Sequence, residues 1–490
     1  MFLWLGLSIS GTAADLKSRI DELVAKTPAL GSAFVGLHVV SLPSGRVLYE
    51  RSQDRLFTPA SNMKLFTTAL ALMKLGPQYR FKTQIGADTA IDADGTLATD
   101  LVLVGGGDPT LSGREYPYQY HPGSQAGTSY SFRAVEELAD QLVARGLRRI
   151  DGDIVGDDRR YVWEPRSDGW STGDALWEYG APVSAMILND NSFAVTIRPA
   201  AHAGDLAHIA LSPNFEYFSI DNRVRTTAGG MRKVGFDRSA DGRQLHIAGV
   251  IPAGGGGMAE LLAVDDPAMY AAEVLRDALE RRGIVIHGTA IARHRFSDEQ
   301  ADSTEPATLR VVLAEKSSPP LSEILRVVDK VSQNLHAEVM LREVGLMAGR
   351  SGSGEGGLAE MREFLTSAGI SKETYRFTDG SGLSRGTLVT PAAITKLLAY
   401  MYKSSNRDVW MSLLPIAGVD GTLATRFEDH PEAQAIRAKT GSLSHIRAMS
   451  GYAETSRYGP VAFSFLVNNF AAPTLEIRRF LDQIALALLQ

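Results

Sequence analysis

A predicted helix opens with Thr58-Pro59-Ala60-Ser61-Asn62-Met63-Lys64 and ends at Gly76-Pro77. The spacing of three residues puts the hydroxyl of Ser61 and the amine of Lys64 on one face of that helix, within hydrogen-bonding reach. A serine becomes a good nucleophile when a base lies beside it, and a lysine is such a base when desolvation or a second cation lowers its pKa. The helix N-terminus also offers backbone N–H groups to an oxyanion. This stretch therefore predicts a nucleophilic serine, although one Ser-x-x-Lys pair is also expected about once by chance in a chain of this length.

Two further patterns follow later in the chain. Ser332-Gln333-Asn334 lies between two predicted helices, 321–330 and 335–344. Lys439-Thr440-Gly441-Ser442 ends a predicted strand, 433–440, and begins the turn after it. Gly441 removes a side chain that would block a substrate lying along this strand, while Lys439 and Thr440 can hold a carboxylate. Neither pattern is specific alone, but Ser-x-x-Lys, Ser-x-Asn and Lys-Thr-Gly in this order are the set typical of penicillin-binding proteins and β-lactamases.

Both ends of the chain predict strands of one antiparallel sheet. Near the N-terminus, 33–41 and 46–51 flank a turn as a hairpin, and near the C-terminus 433–440, 446–454 and 461–469 follow one another as strands. The segments 15–26 and 473–489 predict helices that cover this sheet. A helical subdomain, 317–402, and an insert rich in short strands and turns, 81–305, complete the predicted architecture.

The composition excludes several classes of function. The 490 residues are 44% hydrophobic, as in an ordinary soluble globular protein. The net charge is −6 and no basic run stands out, so the chain has no electrostatic footprint for nucleic acid. Zero cysteines exclude thiolate nucleophiles, Fe–S clusters, Cys-ligated zinc and disulfides. None of the 10 histidines has a ligand spacing such as H-E-x-x-H, so we expect no metal and no cofactor.

The N-terminus bears on location. Residues 1–10 are apolar and are followed by the small residues Thr12 and Ala14, which is typical of the end of a signal peptide, although a basic n-region is missing. We therefore predict that 1–14 is the remnant of a signal peptide and that the protein is exported to the periplasm or another extracytoplasmic part of the cell envelope. No later stretch approaches the roughly 18 apolar residues that a membrane span needs.

Longer stretches around the three motifs make the chain resemble one family, the low-molecular-mass class C penicillin-binding proteins, which are D-alanyl-D-alanine carboxypeptidases and endopeptidases. The supporting stretches are 58–64, 103–111, 378–385, 414–423 and 439–443. They extend over almost all of the chain. The resemblance implies an α+β fold, with a penicillin-recognising serine transpeptidase/β-lactamase-like domain and two β-rich inserted domains.

The resemblance also implies domain boundaries. The peptidase domain would comprise 15–80 and 307–490, and it would combine an antiparallel sheet flanked by helices with a helical subdomain. Inserted domain II would comprise 81–187 and 258–306, and inserted domain III would comprise 188–257.

Catalytic roles follow from the resemblance, position by position. Ser61 would attack the carbonyl of a D-Ala-D-Ala or similar bond to form an acyl-enzyme, and Lys64 would take its proton. Ser332 would relay a proton to the leaving amine. Asn334 would hydrogen-bond the substrate amide and the base. Lys439 would supply positive potential that keeps the base partly neutral.

Substrate-binding roles are implied in the same way. Thr440 would bind the terminal carboxylate, and the backbone N–H of Ser442 would join that of the nucleophile in an oxyanion hole. Trp170 and Asp174 resemble a loop of an inserted domain that reaches the cleft, where an acid meets the amine end of a diaminopimelate side chain. Arg385 would contribute to the same pocket. For these last three residues a solvated surface position is the competing interpretation.

The expected partners are peptidoglycan stem peptides, with β-lactam antibiotics as inhibitors. A peripheral association with the membrane or cell wall is compatible with these partners, and the sequence leaves the oligomeric state open.

The alternative functions are a β-lactamase or esterase of the same fold and a non-catalytic cell-wall-binding protein. The large insert argues against the first, and the intact motif set argues against the second, because a binding module needs no nucleophile with its base.

Overall fold

The computed structural model describes residues 15–122, 130–297 and 309–490. The predicted signal-peptide remnant, 1–14, lies outside these ranges. Within them, no helix is both long enough and apolar enough to cross a membrane.

The helices and strands are numbered in chain order. The α-helices of the described ranges are α1 (Leu16–Ala25), α2 (Lys64–Leu75), α3 (Arg133–Ala144), α4 (Pro267–Glu280), α5 (Leu321–Lys330), α6 (Asn334–Met347), α7 (Gly354–Ser367), α8 (Pro391–Lys403), α9 (Arg407–Leu413) and α10 (Thr474–Ala487). The strands are β1 (Phe34–Ser41), β2 (Val47–Arg51), β3 (Lys82–Ala87), β4 (Thr96–Leu97), β5 (Leu101–Val104), β6 (Arg149–Ile150), β7 (Ile154–Asp157), β8 (Ser192–Arg198), β9 (His208–Ser212), β10 (Ser219–Thr227), β11 (Lys233–Arg238), β12 (Gln244–Pro252), β13 (Met258–Ala263), β14 (Val285–Ile286), β15 (Ala290–Arg293), β16 (Val311–Ser317), β17 (Tyr375–Arg376), β18 (Leu388–Val389), β19 (Ile436–Leu443), β20 (Ile446–Thr455) and β21 (Gly459–Asn468).

The two ends of the chain form one five-stranded sheet in the order β19-β20-β21-β1-β2, with antiparallel neighbours throughout. This confirms the predicted sheet. Alternation along β21 sends Phe463 and Phe465 to a core shared with Ile20 of α1 and Phe480 of α10, while Leu466 joins the core on the opposite face. The sheet is therefore covered on one face by the terminal helices and on the other by the helical part of the chain.

Strand β19 differs from its prediction at both ends. Residues 433–435 belong to a 3-10 turn, Pro431–Ala435, and the strand continues to Leu443 instead of ending at Thr440. It can continue because only two residues separate Leu443 from its partner Ile446, and the second of them, His445, takes a φ of +62°. The Lys-Thr-Gly motif consequently lies inside a strand, and its predicted position at a strand end is wrong.

Helix α2 is the centre of the helical layer. All of its residues from Lys64 to Leu72 are buried, and the helix packs against α5, α6 and α7. A 3-10 turn, Ala60–Met63, precedes it and contains Ser61. The predicted helix therefore begins as a 3-10 turn, with Ser61 one turn ahead of the α-helix proper.

The middle of the chain has a separate apolar core and its own sheets. One sheet has the order β15-β7-β5-β3-β16, and three-stranded sheets are formed by β14-β6-β4, β13-β8-β9 and β10-β12-β11. Strand β16 follows the insert in sequence but pairs with β3, so the return of the chain to the helical layer is tied to the insert's sheet. The division of this region into two domains stays a prediction.

A prediction concerns Gly36 in β1. A Cβ on Gly36 would lie 2.5 Å from the ring of the buried Phe57 and 2.9 Å from Pro391 at the start of α8. We expect Gly36→Val to destabilise the protein by about 1–3 kcal/mol, because overpacking forces the ring or the helix away from the sheet. The midpoint of chemical denaturation measures the effect. Phe34→Ala is the matched control in the same strand, since Phe34 is 62% exposed and should shift the midpoint little.

Candidate active site

Ser61 and Lys64 face each other at the start of α2. The Lys64 Nζ lies 3.0 Å from the Ser61 Oγ, and it donates to the Asn334 Oδ1 at 2.6 Å and to the backbone oxygen of Ser381 at 2.8 Å. Three acceptors from separate parts of the chain thus surround one amine. These contacts keep the Lys64 amine beside the Ser61 hydroxyl. A nucleophile and its base must lie within hydrogen-bonding distance of each other in this way.

The environment of Lys64 changes its acidity. The side chain is fully buried, and burial together with the charge of Lys439 lowers its pKa to about 7. The carboxyl groups of Asp379, Glu338 and Asp329 oppose this shift. Near neutral pH a large fraction of Lys64 is therefore a free amine that can accept a proton.

Lys439 lies on β19 beside Ser332. Its Nζ donates to the Ser332 Oγ at 2.8 Å and to the backbone oxygen of Thr440 at 2.9 Å. The lysine is fully buried, and burial lowers its pKa to about 8, while Asp329 acts in the opposite direction. The structure thus pairs each of the two lysines with one hydroxyl: Lys64 with Ser61 and Lys439 with Ser332.

Asn334 bridges the base to another part of the chain. Its Oδ1 accepts from Lys64, and its Nδ2 donates to the backbone oxygen of Tyr179 at 2.8 Å. Asn334 is the first residue of α6, and Gln333 caps this helix by accepting from the Leu335 N–H at 2.7 Å. The amide is therefore fixed at both ends.

Gly441 has a structural role in addition to the predicted one, which stays a prediction. A Cβ at this position would lie 2.6 Å from the backbone oxygen of Pro59 and 3.2 Å from Ala60. The glycine lets β19 approach the turn that contains the nucleophile. On the same strand, the Oγ1 of Thr440 lies 2.8 Å from that of Thr422, a residue of the stretch 414–423.

A cavity of about 460 Å³ opens above the nucleophile. Its lining residues are Ser61, Gly169, Ser171, Asp174, Tyr179, Asn334, Gly382, Leu383, Arg385, Ser442, Leu443 and Ser444. It therefore contains five of the residues that the sequence singled out: Ser61, Asn334, Ser442, Asp174 and Arg385. Lys64 is linked to it through its hydrogen bonds to Ser61 and Asn334, whereas the hydrogen bonds given above for Ser332, Lys439 and Thr440 join these three residues to one another and to Thr422.

The three residues with a competing surface interpretation separate into two groups. Asp174 and Arg385 line the cavity, and Arg385 is held there by donating from its Nη2 to the Ser444 backbone oxygen at 3.1 Å. The Asp174 carboxylate also accepts from the N–H of Ser171 within its own turn. Trp170 does not line the cavity: its Nε1 donates to the Asp379 carboxylate at 3.2 Å, and its ring packs at the edge of the helical core. A direct substrate contact by Trp170 stays a prediction without geometric support.

Sequence reasoning missed several residues of the site. Tyr179 lines the cavity five residues after Asp174, and its backbone oxygen holds Asn334. Gln333 was treated only as the spacer of Ser-x-Asn, yet its side chain is buried and its Nε2 donates to Glu178 at 2.7 Å. The available signal was the polar middle position of the motif, because a glutamine at a helix N-cap has hydrogen bonds to satisfy.

Comparison with known proteins places the chain. The sequence model of the D-Ala-D-Ala carboxypeptidase 3 (S13) family matches residues 16–488. A D-alanyl-D-alanine carboxypeptidase of Actinomadura sp. (strain R39) is 33% identical over 471 residues, which are 94% of this chain and 82% of that protein. The D-alanyl-D-alanine carboxypeptidase DacB of Haemophilus influenzae is 25% identical over 462 residues, 94% of this chain and 90% of that one.

Solved structures agree with the sequence relatives. The crystal structure of penicillin binding protein 4 (dacB) from Haemophilus influenzae has a TM-score of 0.81 and 25% identity, and covers 95% of this chain and 97% of that chain. A second structure of that protein, complexed with a novel β-lactam, has a TM-score of 0.74 and 23% identity with the same coverage. The predicted α+β fold of penicillin-recognising enzymes is thereby confirmed. Since the family model matches nearly the whole chain, the protein belongs to the D-Ala-D-Ala carboxypeptidase 3 (S13) family of serine peptidases.

Proposed function

We propose that this DD-peptidase hydrolyses the D-Ala-D-Ala bond of peptidoglycan stem peptides through an acyl-enzyme on Ser61. The observation that carries the proposal is the position of the Ser61 hydroxyl, which lines the cavity and lies 3.0 Å from an amine whose pKa is lowered to about 7. A binding module would have no use for this arrangement, because it needs no nucleophile with a base beside it.

Acylation begins at Ser61. The free amine of Lys64 takes the hydroxyl proton as the Oγ attacks the carbonyl carbon of the penultimate D-Ala. The backbone N–H groups of Ser61 and Ser442 receive the developing oxyanion. When the intermediate collapses, the C–N bond breaks and the leaving amine takes a proton from the hydroxyl of Ser332, which the ammonium of Lys439 replenishes across their 2.8 Å hydrogen bond.

Water completes the cycle. Before this step Lys64 releases to solvent the proton that it took from Ser61, and Lys439 takes one up, so that both lysines return to their starting protonation states. The water then adds to the acyl carbon as its proton passes to the free amine of Lys64, and Lys64 returns that proton to the Oγ of Ser61 as the peptide acid is released. The same acylation step serves carboxypeptidase and endopeptidase action, which differ in the amine that leaves. The first releases D-Ala, and the second releases the side-chain amine of a cross-linked stem peptide.

Substrate recognition uses charges on both sides of the nucleophile. Lys439 and Thr440 on β19 would hold the terminal carboxylate of the leaving D-Ala. Asp174 and Arg385 line the same cavity as Ser61, where a carboxylate and a guanidinium suit the ammonium and carboxylate at the end of a diaminopimelate side chain. Such a substrate places the protein in the extracytoplasmic cell envelope, and β-lactams, which mimic the scissile amide, would acylate the same serine.

The first prediction concerns the nucleophile. Brief exposure to benzylpenicillin should add the mass of one penicillin to the wild-type protein and none to Ser61→Ala, because only the wild type can form the ester. Intact-protein mass spectrometry measures the adduct. A wild type that gains no mass and leaves the penicillin intact would contradict the proposal, and one that consumes it without an adduct would favour a β-lactamase.

The second prediction concerns pH. Because Lys64 must be neutral to take the proton, the rate of acylation should rise with pH through an apparent pKa near 7. Lys439→Gln removes the neighbouring charge that helps to lower the Lys64 pKa, so the rising limb should move to higher pH, whatever the change in maximal rate. Stopped-flow acylation with a chromogenic β-lactam between pH 5 and about 9 gives the profile. A limb that stays in place in this variant would rule out Lys439 as the cause.

The third prediction concerns the side-chain pocket. Asp174→Asn should lower kcat/KM about tenfold for a stem peptide with a free side-chain ammonium, because a charge-assisted hydrogen bond is lost. The same peptide with that amine acetylated should be cleaved equally by wild type and variant. Asp168→Asn, an exposed change in the same loop outside the cavity, is the matched control. Equal losses on both peptides would place Asp174 outside substrate recognition.

A further inference from the structure

Three of the four residues 333–336, at the start of α6, form side-chain hydrogen bonds with the middle of the chain. Each hydrogen bond joins one of these residues to a residue between 178 and 190. The bonded residues are the last two of the Ser-x-Asn motif and one residue that follows it. The contacts are Gln333 Nε2 to Glu178 Oε1 at 2.7 Å, Asn334 Nδ2 to the Tyr179 backbone oxygen at 2.8 Å, and His336 Nε2 with Asp190 Oδ1 at 2.8 Å.

Ser332, the residue before these hydrogen-bonded positions, has a strained backbone. Ser332 has a φ of +70°, in the left-handed region that residues with a side chain rarely adopt. In this conformation its hydroxyl lies 2.8 Å from the Nζ of Lys439. A strained residue keeps such a conformation only when its surroundings determine it more strongly than its own preference does. The position of the Ser332 hydroxyl therefore depends on what holds the residues that follow it.

Gln333 is the nearest of these residues, and both ends of its amide are used. The Oε1 accepts from the N–H of Leu335 at 2.7 Å, and the Nε2 donates to Glu178. Because the helix cap uses the oxygen, the amide cannot rotate by half a turn without losing a hydrogen bond. The nitrogen therefore stays directed at its acceptor, Glu178. Gln333 is only 4% exposed, and water cannot readily replace the carboxylate.

Glu178 has no part in the chemistry proposed above. Burial and the nearby Asp190 raise its pKa to about 7, while Arg114, Lys64 and the Gln333 hydrogen bond act in the opposite direction. The residue is partly buried, and its carboxyl group accepts from the Gln333 side chain next to the motif. Glu178 also lies directly before Tyr179, whose backbone oxygen holds Asn334, so one short segment contacts two consecutive residues of the motif.

We propose that Glu178 is a positioning residue for acylation, because its hold on Gln333 keeps Ser332 in the strained conformation that places its hydroxyl at Lys439. The inference rests on the proposed function, in which Ser332 hands a proton to the leaving group. The inference gives Gln333, the middle residue of the Ser-x-Asn motif, a partner in the middle of the chain, Glu178.

Exchanging the two side chains tests the proposal. In Gln333→Glu, two carboxyl groups face each other, and in Glu178→Ala the amide loses its acceptor. Each should lower the acylation rate by about 10- to 100-fold, as expected for a small displacement of a catalytic group. Glu178→Gln keeps an acceptor oxygen and should stay within about threefold of wild type.

The double variant Glu178→Gln, Gln333→Glu restores one amide and one carboxylate at the same two positions. Glutamate at 333 can still accept from the N–H of Leu335 with one oxygen and from the new amide with the other. We expect its acylation rate to return to within about threefold of wild type. Glu115→Gln, which removes a carboxylate with a 73% exposed side chain elsewhere in the insert, is the control for charge alone.

Two readouts separate the inference from the proposed function. Amide hydrogen exchange of the peptide that spans residues 331–337 reports the hold on the motif, and stopped-flow acylation reports its effect on the reaction. Faster exchange and slower acylation in Gln333→Glu, both restored in the double variant, support the inference. Unchanged acylation, or a loss that the exchanged pair does not restore, overturns it. A wild type that is not acylated at all contradicts the proposed function instead, and the exchange data then decide whether Glu178 holds the motif.

Discussion

Two lysines without access to solvent, Lys64 and Lys439, are the constraint on which the rest of the site depends. Removing two ammonium groups from water side by side is unfavourable, and the protein offsets the cost in two ways. It gives each Nζ hydrogen-bond acceptors, and burial and mutual repulsion lower the pKa of Lys64 until the neutral form is populated near neutral pH. The proposed chemistry follows from the lowered pKa of Lys64, because a free amine beside a serine hydroxyl can accept the hydroxyl proton.

The site needs three parts of the chain to meet closely. Strand β19 brings Lys439, the turn before α2 brings Ser61, and α6 brings Asn334. Close approach is possible because side chains are missing where backbones touch: a Cβ on Gly441 would lie 2.6 Å from the Pro59 oxygen, and one on Gly382 would lie 2.0 Å from that of Ala60. The glycines of the family-like stretches thus hold the nucleophile in place without taking part in the reaction.

The insert contributes to the cavity as well as to the overall fold. Asp174 and Tyr179 line the same space as Ser61, and the segment that contains them also contacts the first turn of α6. The middle of the chain therefore supplies part of the wall of the cavity that contains the Ser61 hydroxyl.

Local sequence was sufficient to predict that Ser61 and Lys64 lie together and that the two chain ends share one sheet. Spacing of three along a helical turn puts Ser61 and Lys64 on one face, and alternation along the strands selects which face is buried. The hydrogen bond of Trp170 to Asp379 and the pairing of Gln333 with Glu178 needed the folded chain. Those contacts join segments 209 and 155 residues apart in sequence, and no local pattern records which partner a polar group will find in the folded chain.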